Sequence, residues 1–158
     1  MLLSLMISQC LLSIITGNKI KGMKIHHIGY LVKKMDKALP LFADLGYEIE
    51  KEPEYDEFRN ADIAFLIMNG YRIELVCPHK GSDIYPLLKK FGNSPYHICY
   101  ETEDRERDIS KLKDSGYTDF TGIQPAPVIG EQAKVVFFIN SRLGMIELLE
   151  LKIKGQER

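Results

Sequence analysis

The chain has 158 residues, 45% of them hydrophobic and 27% charged, enough for one domain with its own core and too apolar for a disordered chain. Twenty-one basic against 22 acidic residues leave a net charge of −1, which argues against a nucleic-acid binder working through a basic surface and against a polyanionic tail protein. The three cysteines, Cys10, Cys77 and Cys99, show no Cys-x-x-Cys spacing, so a disulfide framework is not expected and a cytoplasmic setting is.

In chain order, residues 1–16 carry no charge, but they fall short of the roughly 20 residues a membrane helix needs. They also lack the basic start and small-residue cleavage site of a secretory signal. Residues 1–22 therefore read as an apolar N-terminal extension outside the fold, with no membrane role, and a chain starting at Met23 is expected to fold and work as the full one does. Organised sequence begins at Ile25. Ile25–Val32, β-branched and short, predicts a strand. Met35–Leu45 places Leu39, Phe42 and Leu45 at helical spacing before a stop at Gly46, with Pro40 predicting a break inside it. Glu48–Tyr55 offers a further strand. Asp62–Met68 and Tyr71–Cys77 flank Asn69-Gly70, the strongest short hairpin signal. Ser82-Asp83 caps a short helix, Ile84–Phe91, and Gly92–Pro95 links onward. Then come a strand at Tyr96–Thr102, a helix at Asp104–Ser115 with Ile109 and Leu112 inward, and strands at Thr118–Ile123, Lys134–Ile139 and Gly144–Leu151.

The second half repeats the first. At an offset of 70, His27-Ile28-Gly29-Tyr30 falls on His97-Ile98-Cys99-Tyr100, and Asp44-Leu45-Gly46-Tyr47 on Asp114-Ser115-Gly116-Tyr117. At an offset of 73, Ile73-Glu74-Leu75 falls on Ile146-Glu147-Leu148. The fold class expected is α+β, built of two βαβββ modules, residues 24–78 and 95–152, with a linker at 82–94 and a charged tail at 153–158.

Strand alternation puts His27, Glu74, His97 and Glu147 on one face of the two modules, beside the small residues Gly29 and Cys99. Two carboxylates on a sheet interior are costly unless compensated. With two neutral imidazoles they balance one divalent ion of the borderline kind, Ni²⁺, Co²⁺, Zn²⁺ or Mn²⁺. Any one of these residues alone would read as structural; it is their repetition that points to a metal. By the same alternation His26 and Glu150 face the other way. His79 reads as solvated; Arg59 could meet a glutathione-like carboxylate but reads first as a surface residue.

The repeated module, and the phrases HHIGYLVKKMDKAL, YRIELVCP, SPYHICYE and GMIELLEL, resemble the vicinal oxygen chelate superfamily over residues 24–152, in its glyoxalase I and methylmalonyl-CoA epimerase branch. The resemblance implies one eight-stranded cup around a single metal held by His27, Glu74, His97 and Glu147, with Glu147 also the base. It implies a small-molecule substrate that chelates the metal through two neighbouring oxygens, and leaves a second copy of the chain as a candidate partner. Glu74, where many epimerases carry Gln, leans the reading toward a glyoxalase I-type lyase acting on a hemithioacetal, with a thiol such as glutathione as co-substrate. The SPYHICYE phrase leans toward the epimerase instead, though Tyr96 stands where epimerases often have a further His. A third alternative is a member of the fold that only binds small molecules.

Overall fold

The computed structural model describes residues 22–151; the apolar opening segment, taken above as an extension, and the charged tail lie outside the described residues. The elements are β1 (Lys24–Leu31), α1 (Met35–Asp44), β2 (Glu48–Asp56), β3 (Ala61–Met68), β4 (Tyr71–Pro78), α2 (Tyr85–Phe91), β5 (Ser94–Thr102), α3 (Arg105–Asp114), β6 (Thr118–Pro125), β7 (Lys134–Asn140) and β8 (Gly144–Glu150). Each module is βαβββ, as the repeat predicts. Two local expectations are met by backbone chemistry. Asn69 and Gly70 both take positive φ, 51° and 82°, the pattern of a tight hairpin turn whose twist matches its strands. The Asp104 side chain accepts from the Arg107 N–H and caps α3. Two are not: no side chain caps α2, whose N-cap is Ile84 rather than Ser82 or Asp83, and α1 runs unbroken through Pro40. It is held by Met35 and Ala38 buried against the sheet, packing that outweighs one missing hydrogen bond.

All eight strands join one sheet in the order β2-β3-β4-β1-β5-β8-β7-β6. The order is the same read outward from the middle in either direction. β1 and β5 pair antiparallel at the centre; each then pairs in parallel with the last strand of its own module, β1 with β4 and β5 with β8. The modules therefore meet strand to strand.

The two faces divide by alternation. On the convex face Val32, Leu66 and Leu75 pack with Met35, Ala38 and Phe42 of α1, and Val136, Phe138 and Leu148 with Ile109 and Leu112 of α3. On the concave face Ile63, Phe65 and Val76 meet Ile84 and Leu88 around α2, while Val135, Phe137 and Leu149 meet Ala126 and Ala133 of the β6–β7 connection. The cup is thus lined with apolar side chains, and its polar residues sit deep within it. Among the described residues no helix is long and apolar enough to cross a membrane.

Gly29 is indispensable to this arrangement. It lies opposite His97 across the central pair, and a Cβ there would stand 1.9 Å from the His97 ring. Ring and backbone cannot both yield that much in a close-packed interior. Gly29→Ala is expected to push the His97 imidazole out of the cup. The measurement is the affinity for Co²⁺ by calorimetry; unaltered affinity would show that the ring has another place to go.

Candidate metal centre

His27 comes from β1, Glu74 from β4, His97 from β5 and Glu147 from β8, the four central strands of the sheet. The registers Gly29↔Glu74, Gly29↔His97 and Cys99↔Glu147 bring them to one depth in the cup. Their exposures are 1%, 2%, 3% and 0%. One donor atom from each lies within 4.8 Å of all the others. His27 Nε2 is 3.1 Å from Glu147 Oε2, 3.3 Å from Glu74 Oε2 and 3.1 Å from His97 Nε2. His97 Nε2 is 3.3 Å from Glu147 Oε2 and 3.7 Å from Glu74 Oε2. Donors at right angles around an ion, each bonded at ~2.1 Å, stand ~3.0 Å apart, so these separations fit one small cation. Neither carboxylate oxygen of Glu147 has a hydrogen-bond partner of good geometry, although both are buried. A buried, unsatisfied carboxylate is costly unless something positive completes it. The sequence-derived quartet is therefore assembled as one cluster whose donor set suits a divalent ion.

Electrostatics bind the quartet together without an ion. Burial alone would push the His27 imidazole down, but Glu74 and Glu147 outweigh it and raise its pKa to about 9. Burial would likewise push the Glu147 carboxyl up, and the adjoining His27 and His97 nitrogens hold it well below the usual range. Cys99, fully buried beside them, stays a thiol: burial and the Glu147 charge raise its pKa well above the ordinary value.

Three residues stand nearer the cluster than alternation allows. The β1–β5 register shifts between Ile25 and His27 and again between Gly29 and Tyr30. A bulge adds one residue to one strand and so re-aims a side chain. The first shift turns His26 inward rather than away. Its Nδ1 lies 2.8 Å from His27 Nδ1, and its Nε2 lies 3.0 Å from Arg72 Nη1. Arg72 is itself paired to Glu50. Burial, His27 and Arg72 together lower the His26 pKa to about 4, so it is neutral. His26 orients the His27 ring, as outer partners of ligating histidines do. His26→Ala is expected to weaken Co²⁺ binding by about 10–100-fold while leaving the fold intact; His79→Ala should leave the metal affinity unchanged, and equal effects of the two would refute this role. The second shift concerns Tyr96, skipped in the pairing between Gly29↔His97 and Tyr30↔Pro95. Its ring packs edge-on to His97 at 4.4 Å, and its buried hydroxyl has no partner.

Arg59 is the third, and the surface reading of it is wrong. It is 9% exposed. The β2–β3 turn folds back so that Asp56 accepts from both the Arg59 backbone N–H and its Nη1, and Ser82 Oγ donates to its carbonyl at 2.6 Å. Nη2 then lies 3.7 Å from Glu147 Oε1. The Asp-x-x-Arg spacing of residues 56–59 was the available signal: the turn neutralises the cation locally and so permits its burial. The remaining expectations hold. Glu150 faces α3, paired with Arg105, and His79 is exposed, paired with Asp62 at 2.9 Å.

A fold of two βαβββ modules around a buried His₂Glu₂ cluster defines a class, and comparison agrees. The family model of the Glyoxalase/Bleomycin resistance protein/Dioxygenase superfamily matches residues 26–137, and the chain belongs to that superfamily. Among individual proteins, it is 27% identical over 122 residues to an ethylmalonyl-CoA/methylmalonyl-CoA epimerase of Cereibacter sphaeroides, covering 75% of this chain and 89% of that one. A hypothetical protein from Bacillus halodurans has a similar structure, with TM-score 0.73 and 25% identity over 87% of this chain and all of that one. A methylmalonyl-CoA epimerase from Mycobacterium tuberculosis shares the fold, with TM-score 0.70 and 21% identity over 82% of this chain and 89% of that one.

These relatives correct the expectation of a glyoxalase I-type lyase. That reading leaned on one position, Glu74, and a single ligand says little of the substrate. Two of the three are named as epimerases of acyl-CoA esters, which was the alternative.

Proposed function

We propose that the chain is a metal-dependent epimerase of 2-alkylmalonyl thioesters such as methylmalonyl-CoA, with His27, Glu74, His97 and Glu147 holding one divalent ion. The reading rests above all on one observation: a chain related to an acyl-CoA epimerase along 89% of that protein's length keeps two histidines and two carboxylates in one buried cluster. The carbon to be inverted lies between a thioester carbonyl and a carboxylate, and its proton is acidified by both. When bound, the ion would supply Lewis acidity toward the oxygens flanking that carbon. The chain supplies the rest. Glu147 presents Oε2 to the histidines while Oε1 faces away from them toward Arg59, so the same side chain can help hold the ion and take the proton. The apolar lining formed by Phe65, Phe137 and Leu149 keeps water from the carbon while it is planar. Glu147 passes the proton it has taken on to solvent, and a solvent-derived proton delivered to the opposite face gives the other epimer.

The test is exchange at that carbon. Protein loaded in turn with Co²⁺, Ni²⁺, Zn²⁺ and Mn²⁺ is given one epimer of methylmalonyl-CoA in D₂O. The expected result is loss of optical purity together with deuterium uptake at C2. A metal-loaded protein that produces neither would overturn the proposal.

A further inference from the structure

Two buried polar groups beside the quartet have no work to do in holding a metal. Arg59 spends Nη1 and its backbone N–H on Asp56, yet its Nε and Nη2 make no hydrogen bond despite being shut away from solvent. The Tyr96 hydroxyl is in the same condition. A buried donor left unsatisfied costs about 1–3 kcal/mol, and more when charged, so a fold that keeps two of them beside one cluster calls for an occupant. Both residues border the quartet: Arg59 Nη2 lies 3.7 Å from Glu147 Oε1, and the Tyr96 ring packs on His97 at 4.4 Å. Arg59 also lines a cavity of about 80 Å³ together with Phe58, Ser82, Ile84, Gln124 and Phe137. Phe137 packs on His97 at 5.1 Å, so that cavity adjoins the metal ligands. It has room for a small anionic group and not for a bulky one.

The backbone explains why these donors are fixed. Asp56 clamps one edge of the guanidinium, Ser82 holds the Arg59 carbonyl, and Tyr96 is the residue skipped in the β1–β5 pairing. Both side chains present N–H or O–H, and only an acceptor satisfies them. For a guanidinium the best acceptor is a carboxylate.

From this we infer that Arg59 and Tyr96 form an anion-holding wall that takes the free carboxylate of the substrate and so restricts the site to acyl thioesters carrying a second, anionic carboxyl group. The inference rests on the epimerase reading for the reaction but on the unpartnered donors for the selectivity. Such a wall would also set orientation. With the carboxylate on Arg59 and Tyr96, the carbon bearing the proton is turned toward Glu147 Oε1, the oxygen nearest Arg59.

The experiment uses malonate and its monomethyl ester as probes, titrated into Co²⁺-loaded protein by calorimetry. The two differ by one carboxylate charge. The wild type is expected to bind malonate at least about tenfold more tightly than the ester, the size of one charge-assisted hydrogen bond. Tyr96→Phe, which keeps the ring, and Arg59→Lys, which keeps the charge but not the fork, should each narrow that preference, and Arg59→Met should erase it. A wild type that binds the two probes alike would overturn the inference. So would an undiminished preference in both Tyr96→Phe and Arg59→Lys, since groups that only brace the fold would change melting temperature and leave the ratio alone. The outcome is separable from the reaction. Epimerisation with a preference indifferent to Arg59 removes the wall and keeps the enzyme. An Arg59-dependent preference without epimerisation keeps the wall and removes the reaction.

Discussion

Glu147→Gln is expected to lower the epimerisation rate by about 10²–10⁴-fold, the range a positioned acid or base supplies. The amide keeps the shape of the side chain but has no negative charge with which to take a proton. Its environment makes the loss severe. Glu147 is fully buried, and among the described residues no other carboxylate pairs with both histidines and with Arg59. The affinity for Co²⁺ should fall too, because Oε2 of the same side chain faces His27 and His97. Glu74→Gln is the control. It changes the second carboxylate of the cluster in the same way without touching the oxygen beside Arg59, and its effect on rate should be milder. The two variants, assayed by deuterium uptake at saturating Co²⁺, separate base from ligand. Equal losses in both would mean that Glu147 acts only through the metal.

The second large effect concerns pH. In the metal-free protein the pKa of His27 is raised to about 9 from an ordinary 6.5. A group whose folded pKa is raised contributes stability that is complete below its unfolded value and is lost as pH climbs through the folded value. The metal-free protein should therefore weaken between about pH 6.5 and 9, by on the order of 3 kcal/mol from this residue. The depressed carboxyl of Glu147 is the same contact seen from its other end, so its share is not added; it is lost instead as pH falls below the carboxylate range. A metal reverses the trend, since His27 binds an ion only after giving up its proton. Urea melts at about pH 6 and about pH 9.5, with chelator and with Co²⁺, should show the curves drawing apart on the alkaline side. Parallel curves would place the proton elsewhere.

What could be read without coordinates was whatever repeats. The quartet was legible because His27 and His97, and Glu74 and Glu147, occupy matching places in two copies of one pattern, and the hairpin at Asn69-Gly70 because its backbone demands are local. What escaped breaks the period. Alternation assigns His26 to the far face, and it fails there because the strand pairing slips by one residue. A second slip, on the partner strand, turns Tyr96 inward, although that tyrosine had already stood out as a departure from related sequences. The burial of Arg59 was misjudged for a different reason: an arginine reads as solvent-facing until a nearby acid is seen to neutralise it, and Asp56 does so only once the turn has folded. The preference for a lyase failed at the level of chemistry. Ligand identity constrains the ion, whereas the substrate is chosen by the unrepeated residues around it.

The placing of the four donors has a mechanical side. They occupy β4, β1, β5 and β8 and no outer strand, so two come from each half of the chain and face each other over the line where the halves join. An ion there would work as a rivet through a seam. It would tie together residues as far apart as positions 27 and 147, and its removal would loosen the joint before either half, since each keeps its own helix-backed apolar layer. Amide exchange would register this as early opening along β1 and β5, with β3 and β7 protected for longer. The outer strands supply no donor of the quartet, yet β2 still reaches the joint at second hand, through Asp56 on Arg59 and Glu50 on Arg72.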